Sequence, residues 1–375
     1  MAKDIKELLE KYEDDDLSSK IDFGENLKEI KIKDAMNNTA KENKIADPNR
    51  TIKLDAYDKK ILEILLNNAR EHISVIGKKI RLRRENVNYK INRLIKAGLI
   101  KEFNIVLNEK KLGLAHYVVL LELANLKEKS EEEIINYLKE SRYMSWIGPA
   151  AGRWSLIFDI ILPERVELSE VINEFLTKFK KYIDEYVVLR WEEGSHFGFK
   201  FLGSKERGKR LEFSSEKVNL DKKDAHIISL LNTDARASLV DISEKVGLTP
   251  NGAGNRIKKL EKEGVILGYT ISLDWKKLGY EWYGIQLKLI KFGEEINKRL
   301  VDFFTKHKRI TFYSRYIGAA WDYDIGLLGK SSVELRNFIN EFRAQFSDIA
   351  KIYNVILPLE EITGYKLPNG VFATN

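Results

Sequence analysis

Apolar residues recur along this chain in one order, met twice: three stretches at helical spacing, a strand-like run, then alternating blocks of strand and helix character. In DAYDKKILEILLNNAR (55–70), Tyr57, Ile61, Ile64 and Leu65 recur with the period of an α-helix. SVIGKKIRL (74–82) reads as a second short helix. RENVNYKINRLIKAG (84–98) reads as a third, with Val87, Ile91 and Leu94 on one apolar stripe and Gly98 as a left-handed stop. LIKEFNIVLN (99–108) then has strand character. Helix, helix, helix, strand is the order of a winged helix-turn-helix.

The next ninety or so residues alternate differently. YVVLLELA (117–124) predicts a strand and SEEEIINYLKE (130–140) an acidic amphipathic helix. SWIGPAAGRWSLIFDIIL (145–162) predicts two strands joined by a turn around Gly148, Pro149 and Gly152. ELSEVINEFLTKFKKYI (167–183) predicts a longer helix, and EYVVLRWEE (185–193) a closing strand. This βαββαβ order describes a ferredoxin-like layer with helices on one face of an antiparallel sheet, which leaves the other face to be covered.

The whole pattern is duplicated. Residues 54–113 align with 220–279 at a constant offset of 166, and 21 of the 60 positions are identical. Leu54, Asp55 and Asp58 recur as Leu220, Asp221 and Asp224, and Ala69-Arg70 as Ala235-Arg236. One inserted residue shifts the offset to 167, where Trp154 meets Trp321 and VELSEVINEF (166–175) meets VELRNFINEF (333–342). The expected class is therefore α+β, in two tandem units. The boundaries are a charged arm at 1–53, winged helix-turn-helix units at 54–110 and 220–276, ferredoxin-like modules at 111–202 and 277–368, and a basic linker at 203–219.

Composition narrows the function. With 43% hydrophobic and 32% charged residues the chain has a soluble globular balance, and no apolar run approaches the roughly 20 residues that cross a bilayer. A cytoplasmic location without membrane contact is expected. The absence of cysteine excludes disulfides and thiolate chemistry; the five histidines form no metal-spaced pair, and no metal or cofactor is expected. A net charge of +7 permits an anionic partner, so the placement of the charge matters more than its sum.

That placement singles out the third helix. Between residues 81 and 96 six basic residues accompany one acid, Glu85. Opposite the apolar stripe stand Arg83, Arg84, Asn88, Tyr89, Asn92 and Arg93, flanked by Arg81 and Lys90. Arg and Lys neutralise phosphates, while Arg, Asn and Tyr also reach base edges in the major groove, so double-stranded DNA is the expected partner. In the second copy Thr249 suits an N-cap with Pro250 in the first turn, and Ala253, Ile257 and Leu260 keep the inward stripe. Gly252 and Gly254 stand where the first copy has Asn86 and Asn88. This helix is expected to hold DNA backbone through Arg256, Lys258 and Lys259, with Thr249, Asn251 and Asn255 beside them, and to read fewer bases.

LDxxDxxI, GLTPNGAGNRIKKLEKEGVI and GYTISLDWKKLG, followed by a βαββαβ module, resemble the Lrp/AsnC (feast/famine) transcription regulators over about 54–200 and 220–368. The resemblance implies pairing through open sheet faces, palindromic DNA and an amino-acid effector held between effector modules. Family members carry one copy per chain, so two copies leave two arrangements open: a single-chain pseudo-dimer, or a homodimer pairing copy to copy, which is the one favoured. The family's G-D-Y-D-like effector turn corresponds to Gly152, Arg153 and Trp154 in the first copy and to Ala319, Trp321 and Asp322 in the second. The first keeps the glycine without the acid and the second keeps the acid without the glycine, so a complete pocket needs both turns or has been lost. Two further readings compete. Tandem Lrp-like sirohaem decarboxylases place histidine and arginine on these central strands, where this chain has Arg142, Arg153 and Arg315 but no histidine. Alternatively, the N-terminal arm with its acidic run at 13–16 serves as a contact to the transcription machinery.

Overall fold

The computed structural model of the chain describes residues 51–197, 200, 217–317 and 320–372. The arm through residue 50, linker residues 201–216 and Ala319 lie outside the described residues.

The first repeat begins with α1 (Ala56–Asn67), α2 (Ile73–Ile80), α3 (Arg84–Lys96) and the wing strand β1 (Ile100–Leu107). Asp55 caps α1 by accepting from the Asp58 backbone while Asp58 returns the bond to the Asp55 backbone, a complete capping box. The inward stripe of α1 is Ile61, Leu62, Leu65 and Leu66; Tyr57, expected on it, is 40% exposed. The inward place one residue on belongs to Asp58, which is fully buried.

The module that follows is β2 (Leu114–Leu123), α4 (Glu128–Glu140), β3 (Met144–Ala151), β4 (Leu156–Pro163), α5 (Leu168–Phe179) and β5 (Ile183–His196). Gly148 and Pro149 lie inside β3 instead of in the turn, which falls at residues 152–155. Both choices have a physical reason. A Cβ on Gly148 would meet the Trp146 ring at 2.3 Å. Pro149, which has no N–H, is the last residue of the β3–β4 ladder, opposite Leu156, and stands just before the two-residue ladder to β10 at Ala150.

The second repeat copies this order as α6 (Lys222–Thr233), α7 (Leu239–Val246), α8 (Pro250–Lys262), β6 (Ile266–Leu273), β7 (Glu281–Leu289), α9 (Glu294–Lys306), β8 (Ile310–Ile317), β9 (Tyr323–Gly329), α10 (Ser332–Phe346) and β10 (Ala350–Pro358). Thr249 caps α8, its hydroxyl accepting from Gly252 N at 3.1 Å, with Pro250 opening the helix.

The two repeats pair with each other. β1 and β6 form a two-stranded antiparallel sheet, and the other eight strands close in the order β10-β3-β4-β2-β5-β8-β9-β7. β5 runs against β8 from Arg190↔Ile317 to His196↔Phe312, and β10 meets β3 at Leu357↔Ala151 and Pro358↔Ala150. Strand alternation sorts the core. Val119 and Leu121 face the helices α4 and α5, whereas Val118 and Leu120 join Trp154, Tyr316, Trp321 and Ile356 between the sheets. The uncovered sheet face is thus covered within the chain. This corrects the expectation of copy-to-copy pairing between two chains: the strand edges and sheet faces that such a homodimer would use are occupied by the molecule's own second repeat.

The winged units also share one core, from Ile61 and Leu65 to Ile227 and Leu231. Ala69 N donates to Tyr269 O at 3.1 Å, and Ala235 N to Phe103 O at 3.2 Å. The Arg70 guanidinium donates to the carbonyls of Ala235 and Ala237 (2.5 and 3.1 Å), and Arg236 reaches Glu71 O (3.4 Å). The repeated Ala-Arg pair is therefore a self-complementary contact about a pseudo-twofold axis.

Candidate nucleic-acid interface

Packing fixes which side of α3 faces outward. Val87, Ile91 and Leu94 are buried, so Arg84, Asn88, Tyr89 and Asn92 emerge on the solvent side; Tyr89 is 68% exposed. Arg83 holds the N-cap position without a side-chain cap bond, and Arg81 ends α2. Among the described residues Arg81, Arg83, Arg84, Asn88, Tyr89 and Asn92 make no side-chain hydrogen bond or ion pair with the protein, leaving their polar groups open to a ligand.

Lys90 and Arg93, also expected at the interface, are tied inward. Lys90 Nζ lies 2.5 Å from Asp55 and 3.2 Å from Asp58, and Arg93 lies 2.5 Å from Asp58. Burial lowers the Lys90 pKa, but its bonds to Asp55 and Asp58 outweigh this and raise it; the Lys90 bond in turn holds Asp55 below the usual carboxylate range. In the second repeat Arg256 stands at the Lys90 position and bonds Asp221 (2.6 Å) and Asp224 (2.7 Å). The LDxxD motif is hence a socket that sets the angle of the third helix against the first. The signal was present in the sequence: both aspartates and a cation 32 residues after the second of them recur at one offset.

On α8 Asn251, Asn255, Lys258 and Lys259 are exposed, and Lys259 is loosely paired with Glu263 at 3.9 Å. Gly252 and Gly254 do not break the helix, which runs unbroken from Pro250. The two copies thus present unequal surfaces, one with large polar side chains and one with a glycine-smoothed first turn. Asn86, exposed on α3 where α8 has Gly252, also lies on the first surface, although the sequence reading did not count it among the candidates.

The effector-turn residues are brought together only in part. Trp154 and Trp321 are buried with ring centroids 6.4 Å apart. Gly152 has φ +120 and suits the turn. Arg153 lies over Trp154 and donates to Glu185 at 2.8 and 2.9 Å, while Asp322 accepts from Leu289 N at 2.7 Å. Both charged groups are thus engaged within the protein.

Comparison with known proteins agrees with this geometry. The model of the AsnC-type helix-turn-helix domain matches residues 220–261, and that of the winged helix-turn-helix DNA-binding class matches residues 54–101. An HTH-type transcriptional regulator of Pyrococcus abyssi is 32% identical over 139 residues, 36% of this chain and 92% of the relative. The HTH-type transcriptional regulator LrpA of Pyrococcus horikoshii is 41% identical over 61 residues, 16% of this chain and 43% of LrpA. The crystal structure of the siroheme decarboxylase NirDL is similar over 83% of this chain and 94% of its own, with a TM-score of 0.57 and 12% identity, a likeness of fold. Matched in both winged units and, at 32% identity, by a relative covered almost end to end, the chain belongs to the Lrp/AsnC family of HTH-type transcriptional regulators.

Proposed function

We propose that this regulator acts in the cytoplasm, without chemistry of its own, by binding double-stranded DNA as a single-chain pseudo-dimer whose two halves divide the work. The observation that carries this is the outward face of α3, with Arg84, Asn88, Tyr89 and Asn92 free of protein partners opposite a fully packed stripe. A helix about 10–12 Å across fits the major groove, where its N-terminal residues lie deepest. In this reading Arg83, Arg84, Asn88 and Tyr89 select bases, Arg81 and Asn92 support them, and Lys258 and Lys259 with Asn251, Asn255 and Thr249 hold the backbone of the adjoining half-site. Lys90, Arg93 and Arg256 position the helices.

Anisotropy titrations on a selected DNA site test the division. Arg84→Ala is expected to cost about 1–3 kcal/mol and relax preference at one position. The double change Lys258→Ala and Lys259→Ala is expected to weaken all sequences alike and to lower the salt slope by roughly 2. An Arg84→Ala variant with unchanged base preference contradicts the assignment.

The enzymatic alternative is favoured by the fold likeness to NirDL alone. An absorbance titration with sirohaem separates the readings: the regulator reading expects no saturable shift of the tetrapyrrole band, and a stoichiometric shift overturns it.

A further inference from the structure

Beyond its last strand, β10, the chain runs on as a strap whose two edges touch different parts of the molecule. One edge follows β3 of the first repeat. Leu359 N donates to Pro149 O (2.8 Å), Ile362 N to Ile147 O (2.9 Å), the Thr363 hydroxyl to Ser145 O (2.8 Å) and Gly370 N to Arg142 O (2.8 Å). The other edge meets the winged units. Glu361 pairs with Lys101 (2.8 Å) and Lys366 with Glu102 (2.9 Å), both partners lying on β1. Tyr365 donates to Glu109, and Lys276 donates to Leu359 O. Asn232 of α6 closes the clasp by donating to Leu367 O (2.8 Å) and accepting from Leu367 N (3.0 Å), and Leu367 is buried in the core that the two winged units share.

These grips belong to one copy of each duplicated position. At the constant offset of 166, Lys101, Glu102, Glu109 and Asn232 correspond to Leu267, Gly268, Trp275 and Leu66. A buried asparagine on an apolar helix stripe is costly unless its amide is paired. Leu66, buried at the same place in α1, shows that the winged unit packs with an apolar residue there, so the amide of Asn232 is kept for the strap. The tails themselves diverge in the same sense. The run GFK (198–200) recurs as GYK (364–366), again 166 residues on. Lys200 donates to the carbonyls of Phe304 and Thr305 in the last turn of α9 (2.8 and 2.7 Å), whereas Lys366 reaches the wing. One lysine fastens its tail to a module, and the other bridges module and winged unit.

The strap also lies on the shorter of the two joints between the repeats. β10 meets β3 over two ladder pairs, where β5 meets β8 over six. Because the strap continues from β10 and runs along β3, this short seam and the winged pair hold the same segment of chain. A shift at the seam therefore moves the strap, and the strap is fastened to β1 and α6.

We propose that the strap is a latch that couples the β10–β3 seam to the winged pair. With the strap seated, loosening the seam loosens the winged pair; with the clasp undone, the two open independently. The consequence for DNA, a setting of α3 and α8 that follows the state of the modules, rests on the regulator reading; the coupling itself does not.

Hydrogen exchange of the full chain without DNA, read on peptides from α6 and α8, tests the latch as a cycle of four proteins. Leu357→Ala loosens the seam, since Leu357 pairs with Ala151, and Asn232→Leu, which installs the residue of the first copy, undoes the clasp. Leu357→Ala alone is expected to speed exchange in α6 and α8 about tenfold. On the Asn232→Leu background it should leave those peptides unchanged while β3 and β10 still respond. Tyr365→Phe combined with Lys366→Ala, changes at the contacts to Glu109 and Glu102, undoes the latch by a second route should Asn232→Leu fail to fold. Winged-unit peptides indifferent to Leu357→Ala with the strap intact, or equally responsive with it released, overturn the proposal. With no DNA present, such a failure leaves the DNA-binding reading standing, and a failure of DNA binding leaves the latch standing.

Discussion

Arg81 is held at φ 58 and ψ 46, a left-handed position that the second repeat fills with Gly247 at φ 66 and ψ 52. A side chain costs about 1 kcal/mol there, and the position adjoins the exposed face of α3, so under the proposed DNA-binding function the strain serves to aim a cation at phosphate. Arg81→Gly should raise the urea midpoint by an amount equivalent to about 1 kcal/mol while lowering the salt slope of DNA binding by roughly 1; a variant that gains stability with an unchanged slope removes Arg81 from the interface. Single residues were the hardest scale to read from sequence. Lys90, Arg93 and Arg256 look like DNA contacts because charge on a helix is visible, whereas its partners, Asp55, Asp58, Asp221 and Asp224, are 32 to 35 positions away and face it only after folding. His116 was similarly opaque: nothing local marks a histidine that lies between carboxylates from β4 and from the segment after β1.

Whole elements were far more legible, because hydrophobic period and capping residues are local. The stripes Val87, Ile91, Leu94 and Ala253, Ile257, Leu260 are the buried faces of α3 and α8, and Thr249 and Gly98 act as the caps expected of them. The β3–β4 turn was misplaced because Gly148 and Pro149 resemble turn chemistry, while their reasons, the Trp146 ring and the end of a ladder, are tertiary. The glycines of α8 make an element-scale prediction. A Cβ on Gly254 would have Leu239 Cδ1 at 3.4 Å as its nearest neighbour, the far end of a flexible side chain. Gly254→Ala should therefore stabilise the protein by about 0.5–1 kcal/mol in chemical denaturation. A clear destabilisation would mean that α8 needs the glycine for packing, and then its smooth surface says nothing about DNA.

At the scale of the molecule, duplication was evident in the sequence but the pairing was not, since an open sheet face specifies that it must be covered and not by which copy. The ladders β1–β6, β5–β8 and β10–β3 supply that answer. The C-terminal segment adds a strap: Asn232 of α6 clasps Leu367 through both backbone groups (2.8 and 3.0 Å), and Tyr365 donates to Glu109, a partner of the buried His116. Burial opposes the charge on His116, but Glu109 and Asp159 lift its folded pKa from the ordinary 6.5 to about 10, so the stabilisation from this ion cluster is complete below pH 6.5 and fades as pH rises toward 10. Denaturation midpoints of the wild type should fall over that window more than those of His116→Gln, and parallel profiles would show that the imidazolium is not stabilised by its carboxylates. The central claim, one chain presenting two unequal recognition helices, is tested most directly by selecting random DNA fragments with the purified protein at two salt concentrations and sequencing those retained. The account predicts a steeply salt-dependent motif with one well-defined half-site beside a degenerate one about 10 base pairs away. A palindrome with two equally defined halves, or retention without any motif, would contradict it.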